Sequence, residues 1–180
     1  MSKRDDDSVG LRARTPAVKE AWKRTNQDMD AIADERREDG WEVITMPAVH
    51  TSAVGREDGE DDYYGLVHVI PDNHADAFSE AFDPDTFTRW EAYRNDVDGF
   101  VFLVTELMDP DSKTAILVAG QYNMQLAKGM VTTAIKTDDL YSHFRTINGT
   151  ELGSVRYEEI DPFIPNVEGF IERFGIGPDA

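Results

Sequence analysis

Two neighbouring apolar segments constrain the fold of this chain more than any other feature. Residues 99–108 (GFVFLVTELM) and 113–121 (KTAILVAGQ) flank the short polar sequence Asp109-Pro110-Asp111-Ser112. Two strand-like segments joined by a four-residue loop predict a β-hairpin. In both segments the two alternating sets of side chains are apolar, so neither face suits contact with water. Such a hairpin must lie in the centre of a domain, where both of its faces are covered.

A long amphipathic helix is predicted near the start of the chain. Thr15-Pro16 is a typical helix start, because a capping residue is followed by proline at the first helical position. Asp39-Gly40 then ends the helix. Apolar or near-apolar side chains recur at spacings of four and three residues, which places them on one face: Val18, Trp22, Thr25, Met29 and Ile32. This stripe predicts packing against the core.

The remaining signals complete an α+β pattern. Strands are predicted over residues 41–49, 63–70, 88–95, 140–147 and 150–157, and helices after Pro71, over residues 123–136 and over residues 166–174. The order predicts an α+β fold with a mostly antiparallel sheet of about seven strands, a long N-terminal helix and two or three further helices.

The chain is long enough for one sizeable core, so we expect a single α+β domain over residues 15–165. Residues 1–14 have no apolar periodicity and are predicted to be a flexible N-terminal arm. Residues 50–62 are polar and acidic, and we expect a mobile loop there. Residues 166–180 are predicted to be a short C-terminal helix and tail. The apolar face of that helix is expected to dock on its own sheet or, alternatively, on a second copy.

The charge of the chain indicates adaptation to molar salt. Asp and Glu number 36 against 18 Lys and Arg, which gives a net charge of -18, and only 6 of the cations are lysines. At about 1 M salt the Debye length falls to roughly 3 Å, so carboxylates on an acidic surface repel one another little. We therefore expect a halophilic protein with an acidic surface. The alternative is an ordinary acidic protein.

The composition also bears on compartment. The chain has no cysteine, so it forms no disulfide and no thiolate metal site. The first 30 residues are too charged for a signal peptide, and the apolar runs are far shorter than a membrane span. We expect a cytoplasmic protein that does not enter the membrane.

Five stretches of the sequence form a pattern: residues 38–43, 69–72, 100–104, 141–145 and 157–165. In this order they resemble a haloarchaeal family of uncharacterised proteins, a domain of unknown function. The resemblance covers roughly residues 17–165. It implies a host and a compartment but no activity.

The sequence contains no recognisable metal or catalytic motif. The nearest to a metal cluster is His68 with Asp72, His74 and Asp76, which fit the end of a strand and the solvated first turn of a helix. No phosphate-binding glycine loop, Gly-x-Ser-x-Gly sequence or dinucleotide-binding fingerprint is present. We therefore expect no metal and no cofactor, and we assign no catalytic residue.

The last hairpin carries the candidate ligand-binding residues. Asn148-Gly149 between two strand-like segments is typical of a two-residue hairpin loop, which would pair residue 147 with 150 and residue 145 with 152. One face would then present five polar or aromatic side chains to solvent or to a groove: Tyr141, His143, Arg145, Ser154 and Arg156. The opposite face, with Leu140, Phe144, Val155 and Tyr157, would join the core.

Two arginines on one patch of so acidic a chain are unusual, and arginine binds carboxylate and phosphate groups through two parallel hydrogen bonds. The patch is therefore a candidate anion site. The alternative is that both arginines form ion pairs with nearby carboxylates.

We predict a non-enzymatic protein-interaction module, because the chain forms a core but has no catalytic motif. Its partner would be another protein or a second copy of the chain. The alternative is a small-anion or small-ligand-binding protein, or an enzyme, that uses the polar face of the last hairpin. A concave pocket against Arg145 and Arg156 favours this alternative.

Nucleic acid is not an expected partner. Residues 1–24 hold seven basic and four acidic residues, and a basic arm can bind nucleic acid. Asp5-Asp6-Asp7 interrupts this arm, however, and no aromatic residues are interleaved with its cations for base stacking.

Overall fold

The computed structural model describes residues 15–57 and 63–176. Within these residues the fold has four α-helices, and the long first helix and the α+β class are confirmed. The expected N-terminal arm, residues 1–14, and the end of the tail, residues 177–180, lie outside the described residues. The helices are α1 (Pro16–Glu38), α2 (Asp72–Ala81), α3 (Lys128–Thr137) and α4 (Val167–Phe174).

The strands form two sheets of four rather than one sheet of about seven. Sheet 1 has the order β1-β6-β5-β4 and sheet 2 the order β2-β3-β7-β8. Each sheet contains one parallel pair, β1 with β6 and β3 with β7, and the other pairs are antiparallel. The strands are β1 (Glu42–Pro47), β2 (His50–Val54), β3 (Gly65–Val69), β4 (Arg89–Val97), β5 (Phe100–Asp109), β6 (Thr114–Asn123), β7 (Leu140–Arg145) and β8 (Glu151–Tyr157).

The central hairpin is β5 and β6, and it is covered twice as its composition requires. On one face, α1 places Met29 and Ala33 against Val104 and Leu117. The other face packs on sheet 2, where the shared clusters include Leu66, Leu103 and Tyr157 near one end and Leu107, Ile116 and Phe144 near the other. The molecule is therefore layered as α1, sheet 1 and sheet 2.

The chain passes from sheet 1 to sheet 2 between Ala48 and Val49. The Ala48 N–H donates to the carbonyl of Ala119 in sheet 1, and the Val49 N–H donates to the carbonyl of Val69 in sheet 2. The strand predicted over residues 41–49 therefore ends at Pro47, and a second strand follows at once.

The prediction of a mobile acidic loop over residues 50–62 is wrong for its first part, because residues 50–54 form β2. These residues alternate between the outer face and the buried face of sheet 2, and His50 on the outer face is exposed. Polar residues on the outer face gave the segment the composition of a loop. Residues 58–62 lie outside the described residues.

A buried ion pair joins α1 to the centre of sheet 1. Glu106 in β5 has no exposed surface, and Arg36 in the last turn of α1 binds it with two hydrogen bonds. The Nε of Arg36 donates to Oε2 at 2.8 Å, and its Nη2 donates to Oε1 at 3.0 Å. Tyr93 donates to the same carboxylate at 3.3 Å. The hydrogen bond to Glu106 raises the pKa of Arg36 above its ordinary value, so the guanidinium remains charged.

The C-terminal helix packs on its own domain. The Asn166 side chain accepts a hydrogen bond from the Gly169 N–H, and Gly175, at φ 63, closes the helix. Val167 is buried in the same cluster as Phe163, and Phe170 packs against that cluster. The helix predicted over residues 166–174 is present as Val167–Phe174, with Asn166 as its N-terminal cap.

We predict that Arg36→Met lowers the free energy of unfolding by about 3–5 kcal/mol, because it leaves the Glu106 carboxylate buried without a partner. Adding Glu106→Leu should recover most of the loss, because an apolar pair needs no ionic partner. Urea unfolding of the single and double variants in molar KCl measures both effects. Arg24→Met, on the exposed side of the same helix, is the control and should change stability by less than about 0.5 kcal/mol. Equal losses for Arg36→Met and Arg24→Met would contradict this role.

Candidate functional site

The last hairpin brings all five candidate residues to one face of sheet 2. Tyr141 pairs with Arg156, and His143 pairs with Ser154, as the sequence predicts. On the opposite face Leu140, Phe144 and Tyr157 have no exposed surface.

The turn of this hairpin differs from the prediction. The Gly149 N–H donates to the Thr146 carbonyl at 3.0 Å, and the Thr146 N–H donates to the Thr150 carbonyl at 2.9 Å, so the loop has three residues. Gly149 takes a φ of 91, and Asn148 does not have the positive φ that a two-residue loop of this type needs.

The predicted pairs of residue 147 with 150 and residue 145 with 152 are therefore wrong. Arg145 pairs with Glu151, and Leu152 is the extra residue of a bulge in β8. The bulge compensates for the longer loop, which is why the pairs farther from the turn are correct.

His143 is buried rather than presented to solvent, with 5% of its surface exposed. Its Nε2 lies 2.9 Å from the Tyr64 carbonyl oxygen, which can only accept, so Nε2 carries the proton. Its Nδ1 then accepts from the Ser154 hydroxyl at 2.7 Å. The ring stacks between Tyr63, at 4.0 Å, and Tyr141, at 5.5 Å. Burial lowers the pKa of His143 below its ordinary value, so the ring is neutral near pH 7.

Arg156 is held by a carboxylate of the protein itself. Its Nε donates to Asp139 at 2.7 Å, and the Tyr64 hydroxyl donates to the other oxygen of that carboxylate. Burial acts to raise the pKa of Asp139, but hydrogen bonds from Tyr64, Thr137 and Arg156 outweigh it and lower the pKa. The ion-pair alternative is therefore correct for Arg156.

Arg145 forms no ion pair with the carboxylates that the structure describes. Its Nε is buried and has no hydrogen-bond partner among the described residues. Glu151 lies directly across from it and accepts a hydrogen bond from Tyr63 at 2.9 Å. With Asp139 and Glu151 beside the arginines, this face is not an open cationic patch.

A cavity of about 530 Å³ borders the outer edge of this hairpin. Ser154 and Arg156 line it together with aromatic residues and two glutamates, whereas Tyr141, His143 and Arg145 do not. The concave pocket against both arginines that would favour anion binding is therefore present only at Arg156, whose charge is already paired.

A second site was not predicted from the sequence. A cavity of about 520 Å³, here called the edge slot, lies between β2 and the last residues of β6. Residues 48–53 form one wall and residues 121–123 the other, and Trp22, Phe100 and Leu126 complete the lining. This described lining contains no Asp, Glu, Lys or Arg.

Both walls of the edge slot are open strand edges. β2 is the outermost strand of sheet 2, and β1 pairs with β6 only as far as Ala119. Among the described residues, no strand is therefore hydrogen-bonded to residues 120–123 on the β1 side. In an antiparallel edge strand, alternate residues direct both N–H and C=O away from the sheet. The slot is bordered by such groups on two sides.

The floor of the edge slot is closely packed. Thr51 lines the slot, and its hydroxyl oxygen lies 2.8 Å from Nδ1 of His68. A Cβ at Gly120 would approach that hydroxyl to 2.8 Å and the His68 ring to 2.9 Å, so only glycine fits there. His68 is fully buried, and burial lowers its pKa to about 3.

Sequence reasoning missed the edge slot because residues 50–62 were assigned to a loop. The available signal was the alternation of His50 and Ser52 with the less polar Thr51 and Ala53 directly after Pro47, since proline is typical of strand edges.

Among residues 15–57 and 63–176, no group of three His, Asp or Glu side chains is arranged to hold a metal ion. No helix in the same residues has the length and apolar character needed to cross a membrane.

A family model described as "Family of unknown function (DUF7529)" matches residues 10–165. No curated protein and no solved structure matches the chain. The match covers both sheets and both sites, so the geometry described above lies within the family's domain.

We predict that the free energy of unfolding falls as the pH drops from about 6.5 to 5.5. In this range the unfolded chain binds a proton that the buried imidazole of His68 does not, because burial lowers its pKa to about 3. This costs up to about 1.4 kcal/mol per pH unit. His68→Gln should reduce this slope by about that amount, whereas His50→Gln, at an exposed position, should not. Urea unfolding at several pH values measures the slopes, and identical slopes for both variants would contradict the assignment.

Proposed function

Because this chain belongs to a family of unknown function (DUF7529), we propose its function from its own geometry. It is a protein-interaction module that binds an extended, uncharged segment of a partner protein in the edge slot. The observation that carries this proposal is the cavity of about 520 Å³ between two open strand edges.

Strand addition explains the geometry of the edge slot. An extended peptide forms backbone hydrogen bonds with an exposed sheet edge, and its alternate side chains enter pockets beside that edge. At about 3.3 Å per residue, the edge formed by residues 50–53 accommodates roughly four residues of such a peptide.

The lining indicates which peptides fit. Trp22 and Phe100 offer aromatic surface, while Gln121 and Asn123 carry side-chain amides. A charged peptide side chain would lose its hydration without gaining an ionic partner from this lining. The preferred segment is therefore apolar or aromatic with uncharged polar residues.

The rim of the edge slot supports a macromolecular partner. Val49 and Leu126 are 58% and 71% exposed, and both line the slot. Large apolar side chains beside an open strand edge are typical of binding surfaces. The alternative occupant of the edge slot is a second copy of the chain. Light scattering distinguishes a second copy from a partner peptide, because self-association raises the particle mass without any added peptide.

A small uncharged ligand is the second candidate function, because a cavity of about 520 Å³ is within the usual range for small-molecule sites. The anion-binding alternative at the last hairpin has less support, because Asp139 already binds Arg156.

We further propose that the protein works in a cytoplasm of molar salt. Its 36 acidic residues support this, and of those that the structure describes only Glu106, Asp109 and Asp139 are buried. The remaining described carboxylates reach solvent, where salt weakens their mutual repulsion.

The melting temperature should therefore rise steadily from about 0.1 M to above 1 M KCl, beyond the range over which simple screening saturates. Differential scanning calorimetry across that series measures it. A melting temperature that does not change would contradict the halophilic proposal.

Peptide binding can be tested by selecting ten-residue peptides from a random phage library against the full chain in molar KCl. We predict that Leu126→Asp weakens binding of a selected peptide by at least tenfold, or about 1.4 kcal/mol. Ile147→Asp is a matched control, because Ile147 is also an exposed apolar residue but lies at the hairpin turn, outside the slot.

Backbone pairing has its own test in the same peptides. N-methylation at alternate residues removes donors that face β2, whereas N-methylation at the residues between them removes donors that face the end of β6. We expect each set to weaken binding. Tolerance at every position, or equal effects of Leu126→Asp and Ile147→Asp, would contradict strand addition.

A further inference from the structure

Ser154 and His143 form a pair with the geometry of an activated nucleophile. The Ser154 hydroxyl lies 2.7 Å from Nδ1 of His143, and the Tyr64 carbonyl oxygen lies 2.9 Å from Nε2. A nucleophile, a base and a group that orients the base are the three parts of such an arrangement. Here the orienting group is a backbone carbonyl.

The surroundings of His143 keep it in the form that accepts a proton. The Tyr64 carbonyl holds the proton on Nε2, which leaves the lone pair of Nδ1 directed at Ser154. Tyr63 and Tyr141 restrict rotation of the ring by stacking on it. Ser154 itself is exposed, so a reagent can approach its hydroxyl from solvent.

We propose that Ser154 is a nucleophile activated by His143, and that it reacts with activated acyl esters and with fluorophosphonates. With an acyl ester, the Ser154 oxygen forms a bond to the acyl carbon, the ester C–O bond breaks and the alcohol leaves. With a fluorophosphonate, the Ser154 oxygen forms a bond to phosphorus, the phosphorus–fluorine bond breaks and fluoride leaves. The hydroxyl proton passes to Nδ1 of His143 and from there to the leaving alcohol or to solvent. No cofactor takes part, and the proposal is independent of peptide binding in the edge slot.

The protein contains an internal comparison for this pair. Ser52 lies 2.9 Å from Nε2 of His50, which is a similar serine–histidine distance. His50 is exposed, however, and the structure shows no hydrogen bond that orients its other ring nitrogen among the described residues. If the distance alone were sufficient, both serines would react. If orientation of the base is required, only Ser154 reacts.

The pH dependence of the reaction follows from the groups around His143. Burial lowers its pKa, while the Tyr64 carbonyl and the Glu151 carboxylate act to raise it. The titratable neighbours also include Tyr63 and Tyr141 in the stack, and the more distant His68, with which it interacts electrostatically. Since the net shift is downward, the neutral base is fully formed by about pH 7. The labelling rate should therefore fall in acid, where the base becomes protonated, and be constant above about pH 7.

The experiment is labelling of the full chain with a fluorophosphonate probe, followed by intact mass spectrometry and peptide mapping. We expect a single adduct on Ser154, loss of the adduct in Ser154→Ala and no change in Ser52→Ala. His143→Gln should slow labelling at least a hundredfold, which is the lower end of the usual effect of a general base. Circular dichroism confirms that each variant is folded.

The pH profile of the unmodified protein keeps the test decisive even if His143→Gln does not fold. A rate that keeps rising between pH 7 and 9 would indicate attack by a hydroxyl without the imidazole and would overturn the proposal. Equal labelling of Ser52 and Ser154, or no adduct on Ser154, would overturn it as well.

Discussion

The structure depends on the need to cover both faces of the hairpin formed by β5 and β6. Its side chains are buried almost throughout, so one sheet and one helix must each pack against it. The helix α1 supplies one cover and sheet 2 the other. Glu106 lies on the face under α1, and its burial is possible only because Arg36 reaches it from that helix. Apolar packing forms the layers, and this ion pair joins α1 to the centre of sheet 1.

The second cover also creates the edge slot. A chain that builds two stacked sheets has to cross between them, and it crosses between Ala48 and Val49. β1 ends at that point, so the last residues of β6 lose their neighbour, while β2 begins as the outermost strand of sheet 2. Open strand edges normally carry charges that prevent pairing with other chains. Here the described slot lining contains no Asp, Glu, Lys or Arg, which is why we propose that the slot is a binding site.

The outer face of sheet 2 shows how neighbours change the chemistry of the same residues. The arginines, histidine and tyrosine suggested an anion patch, but Asp139 pairs with Arg156 and Glu151 lies opposite Arg145. Tyr64, which follows a segment with no clear pattern, orients His143 through its carbonyl. The result is not an anion patch, and the feature of this face from which we propose chemistry is the hydrogen bond between Ser154 and His143.

The sequence by itself determined the α+β class, the doubly covered hairpin, the first and last helices and the shared face of the five hairpin residues. These follow from local periodicity and from turn residues, which act over a few positions. Only the tertiary structure decided the division into two sheets, the partner of Glu106, the pairing of Arg156 with Asp139 and the existence of the edge slot. Each of these depends on residues that are far apart in the chain, such as positions 36 and 106, or on which strand has no neighbour. Local patterns do not specify such contacts, because side chains and edges of equal polarity can be paired in many ways until the layers are assembled.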